Sequence, residues 1–299
     1  MFIYGDFMET FLDILLDTCL DCVRLLPFLF IAFLLIEALE HYSSAFSKKV
    51  LERVGKAGPV LGALCGCIPQ CGFSVLAANL FAGGMISPGT LIAVFLSTSD
   101  EAVIILLGNP GYLKEIAMLI LTKLIIAVAA GYVTDLLFSK RIMEPRRAGE
   151  LCEHCGCHDE EEEHEKHSGL HHVLIPALRH TLQIFIYLFI FILALNLIVE
   201  LIGEEAFSGF LLVDSVFQPF LAALIGFIPN CAASVILTQL YLNGVLSFAS
   251  VIAGLCTGAG AGLLVLLRVN RHRKETAKIL ALLYGYAVAA GVILFLAGA

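Results

Sequence analysis

Charge is scarce in this 299-residue chain: 15% of its residues are Asp, Glu, Lys or Arg, 59% are hydrophobic, and the mean hydropathy is +0.92. A soluble domain of this length cannot hide so much apolar surface, which excludes an ordinary cytosolic globular protein. No Gly-x-x-x-x-Gly-Lys-Ser/Thr sequence occurs, so energy has to come from an ion gradient or an attached partner. No Cys-x-x-Cys opens a thioredoxin-like unit, and no basic footprint points to nucleic acid; the net charge of −8 comes partly from one acidic loop. The opening Met-Phe-Ile-Tyr-Gly-Asp has neither a basic n-region nor a small-residue cleavage site, so no removable signal peptide is expected there.

What is abundant is apolar sequence of membrane-crossing length, about 20 residues a run. The runs are Leu25–Leu39, Pro88–Leu107, Ile116–Phe138, Leu182–Ile202, Leu246–Leu267 and Ile279–Ala297, with hairpin-like segments at Pro59–Ala82 and Pro219–Leu242. The fold class is therefore an all-α polytopic membrane protein.

The chain writes one stretch twice. Gly62–Val75 (GALCGCIPQCGFSV) recurs as Ala222–Val235 (AALIGFIPNCAASV), with eight of fourteen positions identical. The same offset of 160 pairs Lys114-Glu115 with Lys274-Glu275 and Ala127–Gly131 with Ala287–Gly291. Such a period suits a duplicated membrane half rather than a solenoid unit.

Basic clusters set the expected topology. Lys48, Lys49, Arg53 and Lys56 follow the first run, Lys140, Arg141, Arg146 and Arg147 follow the third, and Arg268, Arg271, Arg273 and Lys274 precede the last. All three should be cytoplasmic. Between them each hairpin must cross an even number of times, as a re-entrant loop or as two half-spans. The halves then carry opposite orientations, giving two inverted-topology repeats and about ten membrane segments.

Pro69 and Pro229 break helices, while Gly66, Gly72 and Gly226 permit a tight turn. Backbone freed at a break must be buried in protein or line a wet cavity. The expected ion or substrate pathway therefore includes Gln70, Cys71 and Ser74 with their counterparts Asn230, Cys231 and Ser234. Single Gly, Pro, Cys or Ser residues are also ordinary packing residues in membrane helices; the recurrence of the whole pattern tips the balance. Ser97, Thr98, Ser99, Asp100 and Glu101 form a second candidate group, since acids at membrane depth are costly and by default functional. Their counterparts around Thr257 are uncharged. Adjacent acids face different sides of a helix, so one acid is expected to ligate or exchange protons and the other to pair with Lys114 or Lys123. Glu37 and His180 read as interfacial.

Residues 139–176 form a cytoplasmic loop of another kind. Cys152, His154, Cys155, Cys157, His158, His164, His167, His171 and His172 mix thiolate and imidazole donors suited to Zn²⁺-like or softer ions, although their spacing fits no closed zinc finger. At the other end, residues 1–24 read as an amphipathic helix with an acidic stripe, Glu9, Asp13, Asp17 and Asp21. The remaining divisions are a first transmembrane repeat, 25–138, and a second, 177–299.

The two Gly-x-Ile-Pro-x-Cys signatures, the Ser-Thr-Ser-Asp-Glu-Ala segment, the opening span Pro27–His41 and the His/Cys-rich loop together resemble the ten-transmembrane heavy-metal exporters. That group is related to the arsenical-efflux permeases and is sometimes labelled as manganese exporters. The resemblance implies a secondary transporter, not an enzyme, that moves a metal or metalloid out of the cytosol across the cytoplasmic membrane. It also implies that Pro69, Cys71, Asp100, Glu101, Pro229 and Cys231 carry the family's pattern.

The leading expectation is a thiophilic cation or trivalent arsenical held by Cys65, Cys67, Cys71 and Cys231, with Asp100 or Glu101 coupling protons. A manganese exporter would use Asp100, Glu101, Gln70, Asn230 and carbonyl oxygens instead. A redox or metal sensor and a carrier of small organic anions remain as further alternatives. No permanently bound cofactor is expected. The expected partners are the lipid bilayer, the metal or metalloid, a coupling ion taken to be the proton, no nucleic acid, and in one reading a second copy of the chain.

Overall fold

The computed structural model describes residues 12–34 (without 13, 17, 21 and 32), 57–98, 100–108, 113–138, 171–202, 217–270 and 272–298. Every element among them is helical. In chain order they are α1 (helical wherever described in 12–34), α2 (Ala57–Gly66), α3 (Gly72–Ala82), α4 (Pro88–Ser97), α5 (Asp100–Leu107), α6 (Leu113–Leu137) and α7 (His171–Ile202). There follow α8 (Gln218–Gly226), α9 (Cys231–Leu242), α10 (Phe248–Thr257), α11 (Ala261–Val269) and α12 (Arg273–Leu296).

Each helix of the first half from α2 to α6 has its counterpart 160 residues on, within a residue or two. Local chemistry repeats with it. Both α3 and α9 end in a Schellman turn: Met85 N–H returns to Leu80 O and Val245 N–H to Leu240 O, and Gly84 (φ 72°) and Gly244 (φ 73°) take the left-handed position. Then α4 and α10 begin on a serine cap, Ser87 Oγ accepting from Thr90 N–H and Ser247 Oγ from Ser250 N–H. Small residues hold the helices backbone to backbone. A Cβ on Gly131 would meet Pro59, Gly89 and Ala93, and one on Gly291 would meet Pro219, Ala249 and Ala253, the same three positions plus 160.

Among the described residues, five helical stretches are long and apolar enough to cross a membrane: Pro88–Leu107, Leu113–Leu137, Leu174–Ile198, Phe248–Val269 and Arg273–Leu296. Three shorter apolar helices, Ala57–Gly66, Gly72–Ala82 and Ala232–Leu242, belong to the two hairpins. The runs around 88–107 and 246–267, continuous in hydropathy, are each broken in two. Thr98 leaves α4 in an extended conformation (ψ 128°), and Gly260 adopts φ 53°, ψ −138°, open in practice only to glycine. Hydropathy averages over such breaks because Thr, Ser and Gly cost little in an apolar window.

The two broken spans form the core and the long helices surround it. Leu121, Ile125, Leu136, Ile190 and Ile293 on α6, α7 and α12 are exposed, the surface that lipid would cover. α4 packs on α6 as α10 packs on α12, within each half. Between halves the short elements exchange: α3 lies against α11, and α9 against α5. The counterparts α1 and α7 run antiparallel, with Thr18 bonded to Asn196 at one end of the contact and Phe33 stacked on His180 at the other, ring centroids 5.5 Å apart. His180 is buried in this contact, on a helix that starts eleven residues before the apolar run that marked its span.

Candidate functional site

In each half the proline break is built the same way. Pro69 and Pro229 offer no N–H, and a tight turn closes around each: Gln70 N–H donates to Ile68 O, and Asn230 N–H to Ile228 O, both at 2.7 Å. The glycine before the break lets α2 touch the last turn of α4, and α8 the last turn of α10. A Cβ on Gly66 would strike Val94 O and the Ser97 hydroxyl; one on Gly226 would strike Gly254 O and the Thr257 hydroxyl. Four helix interruptions, at 67–71, at Thr98, at 227–230 and at 258–260, are thereby drawn towards one interior region.

Hydroxyls there bond the carbonyls near the helix ends. Ser97 Oγ donates to Ala93 O (2.9 Å) and Val94 O (3.0 Å), and Thr98 Oγ1 to Val94 O (2.8 Å). Thr257 Oγ1 reaches Ala223 O at 2.7 Å across to α8, and Gly254 O at 2.9 Å. Ser74 Oγ donates to Cys71 O at 2.7 Å, and Ser74 sits where a side chain on Gly262 would collide, fixing the crossing of α3 and α11.

The caps after the prolines differ. Asn230 accepts from Ala232 N–H and donates to Asn196 Oδ1 at 2.5 Å, and Asn196 donates in turn to Thr18 Oγ1 at 2.8 Å, so α1, α7 and α9 share a polar chain. At the other break Cys71 makes no capping bond, and the ring of Phe28 covers Gly72 instead.

At the centre lies Lys123 of α6, fully buried. Its ammonium donates to Thr98 O, at the α4 end, and to Leu255 O, in the last turn of α10, at 2.7 Å. Cys67 and Cys256 lie within its electrostatic reach.

Asp100 and Glu101 are the first two residues of α5, where the helix dipole favours negative charge. Cys231 opens α9. The side chains of these three lie outside the described residues, as do Ser99 and the candidate loop ligands Cys152, His154, Cys155, Cys157, His158, His164 and His167; His171 and His172 open α7 with side chains likewise outside. So do Glu9, Asp13, Asp17 and Asp21. Among the described thiols Cys65 is exposed, Cys67 and Cys71 are half-buried, and Cys256 is buried. No three His, Cys, Asp or Glu side chains converge among the described residues.

Against this geometry, residues 7–199 match the protein family described as "Putative, 10TM heavy-metal exporter". The chain belongs to that family. The match takes in every element from α1 through nearly all of α7, including the first proline break, Asp100-Glu101 and Lys123. Neither curated proteins nor solved structures return a match. The exporter family accounts for the apolar helices and the multi-pass membrane class. Three interior residues stood outside the candidate set read from sequence: Lys123, considered only as a partner for the acids, Asn196 and Cys256. For Lys123 the signal was present, an ionisable residue in the middle of an apolar run. Asn196 and Cys256 carry no such signal, since isolated polar or thiol residues in a span are usually packing residues.

Proposed function

We propose that the protein is a gradient-driven exporter, in the cytoplasmic membrane, of a heavy metal or metalloid, working by alternating access between two inverted-topology halves. The observation that carries this reading is the interlock of broken helices, α3 with α11 and α9 with α5, around interrupted backbone in the core. Irregular backbone at membrane depth belongs where it lines a cavity or is buried in protein. Opposite orientation of the halves is supported by the antiparallel course of α1 and α7. It is supported again by the end of α6 at Phe138, which shares a cavity of about 320 Å³ with the start of α12 at His272, Lys274 and Lys278. Counterpart helices thus have opposite ends together, beside two basic clusters expected in the cytosol. Residues 25–138 and 177–299 are the two repeats, and the loop between them gathers metal on the cytosolic side.

Cys71 and Cys231, at equivalent places after the two prolines, are the soft ligands in this reading, with Cys65 and Cys67 beside the first; Asp100 or Glu101 moves the coupling proton. A second reading, a harder divalent cation such as Mn²⁺, is favoured by the oxygen-rich interior of Ser97, Thr98, Thr257 and Asn230, whose hydroxyl and amide oxygens retain lone pairs. The test is flux in proteoliposomes holding the purified full chain, loaded in turn with arsenite and with Mn²⁺ under an imposed proton gradient. Arsenite flux abolished by the double variant Cys71→Ser, Cys231→Ser supports the thiolate reading; Mn²⁺ flux untouched by it supports the oxygen reading. Absence of flux for every metal tried would refute export.

A further inference from the structure

α4 and α10 are counterparts, and both end buried inside the protein. A helix end there leaves carbonyls without intrahelical donors and a negative dipole end pointing into low dielectric. Thr98 has left the helical conformation, so its carbonyl falls outside the α4 ladder. Leu255 O has lost its usual donor, because Ala259 N–H bonds to Thr257 O instead. These two carbonyls, one from each half, converge on one point. Converging carbonyls at half-helix C-termini are how transporters hold a coupling cation.

That point is taken by the Lys123 ammonium. The counterpart of Lys123 in the second half is Leu283, also fully buried, so the fold itself does not need a charge at this position of the long helix. We propose that the two helix ends form a monovalent-cation site and that Lys123 is a tethered cation filling it, so that the protein joins its two halves without binding Na⁺ or K⁺. The ammonium neutralises both dipole ends and clamps α4 to α10, and its stem from α6 makes the cation part of the chain.

Removing the tether should expose the site to free ions. The full chain, purified in detergent, is heated in LiCl, NaCl, KCl or choline chloride at equal ionic strength. The wild type should unfold at one temperature in all four. Lys123→Ala should unfold lower in choline and rise by about 2–4 °C in the alkali salt that fits, because an ion bound only by the folded state stabilises it. Equal unfolding temperatures for Lys123→Ala in all four salts overturn the proposal. Should that variant not fold, Lys123→Gln decides: its side chain is polar and one bond shorter, and it has no charge. Folded Lys123→Gln should lose tenfold or more of the flux, and Lys123→Arg should retain more of it; wild-type flux in Lys123→Gln overturns the proposal. The flux arm rests on the export reading. The thermal arm uses no cargo, so failure of export and failure of the cation site are told apart.

Discussion

Residues 57–138 and 217–297 follow the same path through the molecule, yet they are furnished differently. Where the first half has Thr98, Lys123 and Asp135, the second has Gly258, Leu283 and Phe295; where the first has Gly58, the second has Gln218. The N-terminus of α4 is held by Asp135 of α6, whose carboxylate accepts from Ser87 Oγ and Gly89 N–H, both at 2.8 Å. The N-terminus of α10 is held from the other side, by Gln218 of α8, whose Oε1 accepts from Ser247 N–H and Oγ and from Ser250 Oγ. Backbone breaks and small-residue contacts are duplicated, and the charges of Lys123 and Asp135 are not. Two copies of a trace build the central crossing, while a single ammonium, that of Lys123, joins the helix ends there.

The sharpest attack on that comparison is at the interlock. Gly262→Leu should leave no monodisperse folded protein, because a Cβ alone would come within 2.7–2.8 Å of Ser74 Cβ and backbone; Gly262→Ala should cost about 1–3 kcal/mol. The counterpart exchange, Ala102→Gly, should cost only about 1 kcal/mol. Size-exclusion profiles and thermal unfolding check this, and equal tolerance at both positions would mean that α3 does not meet α11 as described.

Next comes Lys123→Leu, which copies the second half into the first. It leaves two buried carbonyls without their donor, at about 1–3 kcal/mol each. A variant unfolding at the wild-type temperature would show that the asymmetry carries no stability.

The helix clamps come third. Asp135→Ala should cost about 1.5–3 kcal/mol, as bonds to a charged group do, and Gln218→Ala somewhat less, since its bonds are neutral. A reversed order, read from unfolding midpoints, would place the charge of Asp135 nearer to solvent than the fold implies. The smallest effect belongs to the caps: Asn230→Ala should lose about 1 kcal/mol, whereas Cys71→Ala should lose no cap at all.

Membrane class, the duplication and the proline breaks were legible in the sequence, for a physical reason. Long apolar runs admit few alternatives to a bilayer, proline removes a backbone donor wherever it stands, and a gapless offset of 160 survives any rearrangement of the halves. The second pair of breaks was hidden, because whether Thr98 or Gly260 interrupts a helix depends on what packs around it. The burial of His180 against Phe33 was not legible either, since only the antiparallel seating of α7 on α1 brings the two rings together. Lys123 announced itself as an ionisable residue at membrane depth, but not what it touches. The sequence by itself determined the apolar runs, their duplication and the two proline breaks. The tertiary structure alone decided which breaks meet, because contacts between α3 and α11, or between the Lys123 ammonium and Leu255 O, join residues more than a hundred positions apart, and no local periodicity encodes them.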